Sequence, residues 1–382
     1  MTRRLESRVG VIGAGAWGTA VAKVLADKGL PVDLWCREKD LSEHVNTAHV
    51  NEPFLPGIAL PPSIHATTDL LEAASGKGYI FLAVPSLFLQ GIAADMTSRI
   101  HLHSDRTVIS VLTKGLIDAG EGPHLITDAL EEILPGSYKN KLVAVSGPSH
   151  AMEVAMGKIT GLVSASRSGK NSIRVRELLS GGLLVVVSSL DIRGVQVSGA
   201  LKNVIAIAFG MLDALKETSD QFGDNTESLL LAAGLSEIQI VGKKMGATHP
   251  ETFSSIAGVG DLDVTCRSVL GRNRRFGREI VLKGILERFR SIEELIADLP
   301  SIGYIPEGVA TVRHLHALAE QKGLILPISS GVYRVLNREV EPLGEVANII
   351  ERIIGTGIRA RKNKRFTGFI GGTLRKAGGH AG

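Results

Sequence analysis

Gly13-Ala14-Gly15-Ala16-Trp17-Gly18 has the spacing with which a glycine-rich turn cradles a pyrophosphate. The first glycine permits the tight turn and the second lets a phosphate approach the backbone. The third lets the next helix lie close against the strand, so that the helix N-terminus faces the phosphates. A solitary motif of this kind is weak. Here it follows the apolar run Val9-Gly10-Val11-Ile12 and leads into Thr19 to Lys28, with helical apolar spacing at Val21, Val24 and Leu25. A purely structural glycine-rich turn is the alternative. About 20 residues further on, an NAD-specific site places Asp or Glu at the tip of the second strand to accept from the ribose hydroxyls. This chain has Arg37 there, and Asp33 falls inside the strand. A guanidinium suits a 2′-phosphate, which favours NADP over NAD, with a solvated surface arginine as the alternative.

Further polar residues follow predicted strands. Thr113-Lys114-Gly115 and Gly147-Pro148-Ser149 each end one, and ligands bind outside the carboxyl ends of parallel strands. Lys202-Asn203 begins the run Val204 to Gly210, which puts an amine at the opening of the most apolar helix; taken alone, it reads more readily as a snorkelling lysine. Asp261 and Thr265 share a helix face if their segment is helical. Gly271-Arg272-Asn273-Arg274-Arg275 is a basic knot that could hold a phosphate or be a solvated face.

The elements that must position these residues are legible in outline. Strand patterns at Val9 to Ile12, Val32 to Cys36, Tyr79 to Val84, Thr107 to Leu112 and Leu142 to Ser146 alternate with helical stretches. Such alternation predicts an α/β unit with a parallel sheet covered on both faces. Thr160 to Ser164 and Leu183 to Ser188 extend it, and the proline-rich segment from Asn51 to Ile64 reads as loop. After about residue 190, periods near 3.6 occupy 191–215, 226–245 and 307–321, which predicts a helical second half. The expected division is a dinucleotide-binding domain over 1–190, a helical substrate-binding and catalytic domain over 191–357, and a basic, glycine-rich, partly disordered tail over 358–382.

Length and composition exclude several classes. The 382 residues suit two or three domains, and 44% hydrophobic with 21% charged residues is globular rather than disordered. A net charge of +4 fits an anionic small molecule and gives no argument for nucleic acid. Cys36 and Cys266 supply neither a disulfide framework nor metal-ligand spacing, so both read as packing residues in a reducing compartment. His101-Leu102-His103 and His314-Leu315-His316 lack a carboxylate or cysteine framework and read as surface histidines rather than metal ligands. The longest apolar runs, such as Val204 to Leu212, fall short of a membrane span, and the Arg3-Arg4 start reads as mature structure.

Taken in order, the motifs resemble the soluble bacterial type of NAD(P)-dependent glycerol-3-phosphate dehydrogenase. The resemblance covers most of 8–355 and rests on the Gly-Ala-Gly-Ala-Trp-Gly start, Phe54-Leu55-Pro56-Gly57, Thr113-Lys114-Gly115 and Ser146 to Ala155. Leu201-Lys202-Asn203-Val204, Gly223-Asp224-Asn225-Thr226, Gly260-Asp261-Leu262, Arg272 to Gly277 and Pro306-Glu307-Gly308-Val309 complete it. It implies a Rossmann-type doubly wound sheet followed by an all-helical domain like the C-terminal domain of 6-phosphogluconate dehydrogenase. It further implies a cytoplasmic homodimer that reduces dihydroxyacetone phosphate to sn-glycerol 3-phosphate with NADPH or NADH for phospholipid synthesis, without nucleic acid or a membrane span. Carried over by position, Lys202 is the proton donor and acceptor, with Lys114 and Asp261 in the catalytic group. Substrate contacts fall on Lys114, Gly147, Ser149, Lys202, Asp261, Gly271, Arg272 and Asn273. Cofactor contacts fall on Gly13, Gly15, Ala16, Trp17, Gly18, Arg37, Lys114, Ala151, Arg272, Ile305 and Glu307.

The chain departs from the family pattern at Leu212 to Gln221, Ala233 to Glu237, Leu286 to Ser301 and the basic tail. Two rival readings are a related hydroxyacid or 6-phosphogluconate-type dehydrogenase, and a non-catalytic nucleotide-sensing or nucleic-acid-binding module using Arg272 to Arg278 and the tail. Ketone reduction needs a proton delivered to oxygen. Lys202 can supply it if burial and a cationic neighbour such as Lys114 lower its pKa from about 10.4 towards the working pH.

Overall fold

The computed structural model describes residues 8–99, 107–120, 122–217 and 219–357. His101, His103 and the expected tail over 358–382 lie outside the described residues. The first apolar run forms β1 (Val9–Ile12), buried at all four positions, as a strand sandwiched between helical layers must be. The other strands, in chain order, are β2 (Val32–Trp35), β3 (Val50–Asn51), β4 (Leu55–Ala59), β5 (Ile64–Thr67), β6 (Tyr79–Leu82), β7 (Val108–Val111), β8 (Leu116–Asp118), β9 (Pro123–Leu125), β10 (Val143–Ser146), β11 (Thr160–Ala165) and β12 (Leu184–Ser189).

Eight of these form one sheet in the order β12-β11-β10-β7-β6-β1-β2-β5. Every pairing in it is parallel except β10 with β11. Chain order reverses at β1, between β2 and β6, and such a reversal opens a crevice beyond the strand carboxyl ends. Apolar clusters fill both faces, one around Val9, Val11, Val21 and Leu25, the other around Ile12, Ile80, Leu82 and Leu130.

The segment expected as loop between Asn51 and Ile64 contains β4, paired antiparallel with β3 in a two-stranded ribbon with a register shift between Val50 and Asn51. Proline removes one ladder donor but is tolerated in an edge strand, so Pro56 does not prevent the pairing. The short β8–β9 hairpin and β5 also escape a periodicity reading, because each is too brief to establish a period.

After Ser189 the described residues contain no strand. The helices Ile192–Lys216, Asp224–Lys244 and Glu307–Lys322 lie where the 3.6-residue period placed them. Ile192–Lys216 is long and apolar enough to cross a membrane, yet the whole of its most apolar window is buried inside the protein. Burial on all sides is why it lacks a polar face. Its N-terminus is fixed by the buried carboxylate of Asp191, which accepts from Gly194 N at 3.0 Å, Thr248 N at 3.1 Å and Thr252 Oγ1 at 2.7 Å.

The helix Arg272–Lys283 crosses this core helix at backbone contact. A Cβ on Gly210 would stand 2.0 Å from the Arg274 carbonyl oxygen, and one on Gly277 would stand 2.1 Å from that of Ile207. Two glycines therefore set the approach that brings Arg272 and Asn273 towards Lys202 and Asn203. Two of the departures from the family pattern are absorbed structurally. Leu286, Phe289, Ile292, Leu295 and Leu299 enter the helical core. Glu237 accepts from Ile328 N at 2.5 Å and from Ser329 N at 3.1 Å, which fixes the N-terminus of the helix Pro327–Leu336.

Candidate active site

The glycine-rich turn joins β1 to the helix Ala16–Asp27. Gly13 has φ +120°, and a Cβ there would stand 2.9 Å from the Ala83 backbone; a Cβ on Gly18 would stand 1.9 Å from the Gly13 carbonyl oxygen. A Cβ on Gly15, in contrast, would meet nothing within 4 Å. The helix that follows has no side-chain N-cap and no acidic residue in its first turn. Free amide groups, a positive dipole end and an open face at Gly15 fit a dinucleotide pyrophosphate. The Trp17 indole Nε1 is buried there without a hydrogen-bond partner. Asn51, at the start of the segment expected as loop, braces the turn by donating to Ala14 O at 2.9 Å and Thr19 Oγ1 at 2.8 Å.

Arg37 follows β2 with its side chain 81% exposed and 3.4 Å from Glu38. Asp33 does point away from the strand tip. It is buried and ion-paired with Lys77 at 2.5 Å.

Across the crevice, β7 and β10 deliver their carboxyl ends to the core helix. Thr113 Oγ1 donates to Val84 O at 2.7 Å and ties the turn carrying Lys114 to the end of β6. Lys114 Nζ then donates to Ser149 Oγ at 3.0 Å, Gly147 O at 3.3 Å and Asp261 Oδ2 at 3.0 Å. Lys202 Nζ donates to Asp261 Oδ1. Ser146 Oγ, at 3.2 Å, and Gly147 N, at 3.4 Å, complete the shell of Oδ2. Five expected residues, Lys114, Gly147, Ser149, Lys202 and Asp261, thus form one hydrogen-bonded cluster.

The core helix begins at Ile192, so Lys202 lies in its interior and does not open it; its side chain is 8% exposed, which also overturns the snorkelling alternative. Burial pushes Lys202 down to about 7, helped by Lys114 and opposed by Asp261. Burial works to raise Asp261, but the two ammonium groups outweigh it and hold that carboxyl below its ordinary range. The result is an ionised carboxylate between two amines, one of them poised to exchange a proton near neutral pH. Asp261 begins the helix Asp261–Arg267, and Thr265 Oγ1 donates to its carbonyl at 2.6 Å, so the expected shared face exists.

The basic knot divides by partner. Arg274 and Arg278 both reach Asp213, at 2.7 and 2.8 Å, and Arg275 reaches Glu279 at 3.0 Å and lies over the Tyr304 ring. Arg272 is exposed and makes no ion pair with the described residues. It follows Gly271, the N-cap residue of its helix, which offers no side-chain cap. Asn273 is buried and already engaged, donating to Asn203 Oδ1 at 3.0 Å and accepting from Gly308 N at 2.9 Å. Asn203 Nδ2, within the Leu201-Lys202-Asn203-Val204 motif, is buried without a partner beside Lys202.

Glu307 begins its helix, and burial raises its carboxyl against the charges of Arg272, Lys114 and Lys202. Ile305 packs against the helical core and Ala151 against the sheet core. His314 is not a surface histidine. It is buried, with Nδ1 3.2 Å from Asp118, because the helix Glu307–Lys322 packs that face against β8. His316 stacks on Tyr333 at 3.7 Å. Both cysteines are buried and free, and burial raises both thiols.

A dinucleotide cradle on an open, mostly parallel sheet, facing a buried Lys-Asp-Lys cluster assembled by the turn after β7, the core helix and the helix Asp261–Arg267, defines a nicotinamide-dependent oxidoreductase. Residues 8–172 match the family model of the NAD-dependent glycerol-3-phosphate dehydrogenase N-terminus, and residues 191–347 match that of its C-terminus. The chain belongs to the NAD-dependent glycerol-3-phosphate dehydrogenase family.

It is 52% identical over 353 residues to a glycerol-3-phosphate dehydrogenase [NAD(P)+] of Treponema denticola, covering 91% of this chain and 99% of the relative. A Bacillus cereus protein of the same name is 38% identical over 86% of this chain and 91% of its own length. The crystal structure of glycerol-3-phosphate dehydrogenase from Coxiella burnetii superposes with a TM-score of 0.78 at 32% identity, over 91% of this chain and 100% of that one.

Proposed function

We propose that this protein reduces dihydroxyacetone phosphate to sn-glycerol 3-phosphate with NADPH or NADH. The observation that carries the reading is the Lys202–Asp261–Lys114 cluster, with Arg272 on the adjoining helix making no ion pair among the described residues. The nicotinamide cofactor supplies the hydride, and the chain's own residues supply orientation and the proton. Lys202 donates its proton to the carbonyl oxygen as the alkoxide develops, and recovers one in the reverse direction. Asp261 holds the amine in place and keeps enough of it protonated. Lys114 counters that effect and, through Ser149, orders the turn after β10. Arg272 takes the phosphate dianion, with the first-turn amides of Arg272 and Asn273 behind it.

Gly13, Gly15, Ala16, Trp17 and Gly18 would hold the pyrophosphate, with Arg37, Ala151, Ile305 and Glu307 completing the cofactor contacts. A helical core built from residues after 190, joined from the first half by Leu116 and Leu125 of the β8–β9 hairpin, supports a division near residue 190. Cytoplasmic location and a homodimer belong to the same reading through the family resemblance.

The test follows oxidation of NADPH and of NADH with dihydroxyacetone phosphate at low and moderate salt. Turnover that persists as salt rises supports the dehydrogenase. No turnover, together with nucleic-acid binding that falls steeply with salt, would favour a binding module.

Arg37 allows a sharper expectation. Arg37→Asp should move the ratio of kcat/KM values from NADPH towards NADH, because a carboxylate repels a 2′-phosphate and accepts from ribose hydroxyls. An unchanged ratio would leave Arg37 as a solvated arginine paired with Glu38.

A further inference from the structure

His150 is a polar side chain in the catalytic groove to which neither the motif reading nor the family resemblance gives a role. It directly follows Ser149, whose Oγ is held by Lys114, and it precedes the helix Ala151–Ala155. Its Nδ1 is buried and has no hydrogen-bond partner among the described residues. The ring also faces the backbone of Leu270, next to Gly271 and Arg272. Burial lowers the imidazole below its ordinary value, and the Lys202 and Arg272 charges add to this. The Leu270 carbonyl and Glu153 oppose it without reversing it. Burial and those two charges both favour the uncharged ring. In the tautomer whose N–H donates to the Leu270 backbone, the unpartnered Nδ1 is a buried lone-pair acceptor.

The substrate offers three polar groups. The phosphate dianion and the carbonyl oxygen only accept, and they match the guanidinium of Arg272 and the ammonium of Lys202. The free hydroxyl of the hydroxymethyl group can donate, and so it suits an enclosed acceptor. We propose that His150 is a specificity-determining residue whose Nδ1 accepts a hydrogen bond from the substrate's free hydroxyl. This rests on the dehydrogenase reading above, since it takes its geometry from a three-carbon ketone phosphate spanning Lys202 and Arg272.

The test compares dihydroxyacetone phosphate with acetol phosphate, which carries a methyl group where the substrate has its hydroxymethyl. The wild-type protein should prefer dihydroxyacetone phosphate by about 10- to 100-fold in kcat/KM, the loss expected when a buried polar group goes unmatched. His150→Phe should lose most of that preference by slowing on dihydroxyacetone phosphate while holding its rate on acetol phosphate. His150→Asn, whose amide oxygen can stand near the Nδ1 position, should restore part of the preference, and it provides a second, smaller change should the phenylalanine disturb folding.

Equal losses on both ketones in both variants would overturn the inference and make the ring a packing group. A weakened dissociation constant for NADPH with unchanged discrimination would overturn it in favour of the nicotinamide carboxamide, the other donor that could reach the groove. Failure of the wild-type protein to reduce either ketone would instead remove the dehydrogenase reading on which the inference stands.

Discussion

Lys202→Met should reduce kcat/KM for dihydroxyacetone phosphate by about 10²- to 10⁴-fold, the usual worth of a positioned general acid, with the dissociation constant for NADPH near wild type. Methionine keeps the apolar stem that fills the core helix interface and removes only the ammonium group. The carboxylate left behind is not stranded, because Lys114 Nζ at 3.0 Å, Ser146 Oγ at 3.2 Å and Gly147 N at 3.4 Å still serve Asp261 Oδ2. A folded protein with normal cofactor binding and lost turnover is therefore the expected phenotype. Retention of more than about a tenth of the rate would remove Lys202 from the proton-transfer role.

The second large effect is expected at Arg272. Arg272→Ala should raise KM for dihydroxyacetone phosphate and also lower kcat if phosphate binding helps orient the ketone. Arg272 is exposed in the free protein, so a loss of about 2–5 kcal/mol in apparent kcat/KM is expected only if the bound dianion covers its guanidinium. Arg275→Ala is the internal control, with the same charge change on the same helix. Arg275 is engaged with Glu279 at 3.0 Å and with the Tyr304 ring, and its side chain is 59% exposed. Its loss should cost well under about 1 kcal/mol. Dihydroxyacetone, lacking the phosphate, should be a poor substrate for all three proteins and insensitive to Arg272. Equal small effects of the two substitutions would defeat the clamp.

What could be read from the amino acids alone follows from how local each signal is. The glycine turn and the strands around it were legible because glycine spacing and apolar runs act over a few neighbouring residues. The core helix was legible for the same reason, although the expectation that Lys202 opens it failed. The helix starts at Asp191, a cap that lies before the most apolar stretch. The Lys114–Asp261 and Lys202–Asp261 contacts join residues 147 and 59 positions apart, and no spacing rule reaches that far. Family resemblance placed them in one site, and the fold explains how they meet. Asn51 was hidden by surrounding prolines, and its bracing of Ala14 exists only because a bulged ribbon folds back over the turn. Asn203 and His150 lie inside recognisable motifs but carry no role legible there, because a buried, unpartnered nitrogen has no signature in sequence.

Proton transfer by an amine depressed towards neutrality and held by Asp261 is tested most directly by kcat/KM against pH in both directions of the reaction, for wild type and Asp261→Asn. Reduction needs Lys202 protonated, so its kcat/KM should fall as pH rises through about 7, where burial places the free-enzyme amine. Oxidation of glycerol 3-phosphate needs the free base, so its kcat/KM should rise over the same interval. The substrate phosphate titrates near pH 6 and affects only the acid side. Because Asp261 raises Lys202, Asp261→Asn should move both limbs to lower pH. A reduction profile flat from about pH 6.5 to 9, or limbs that Asp261→Asn leaves in place, would contradict the account.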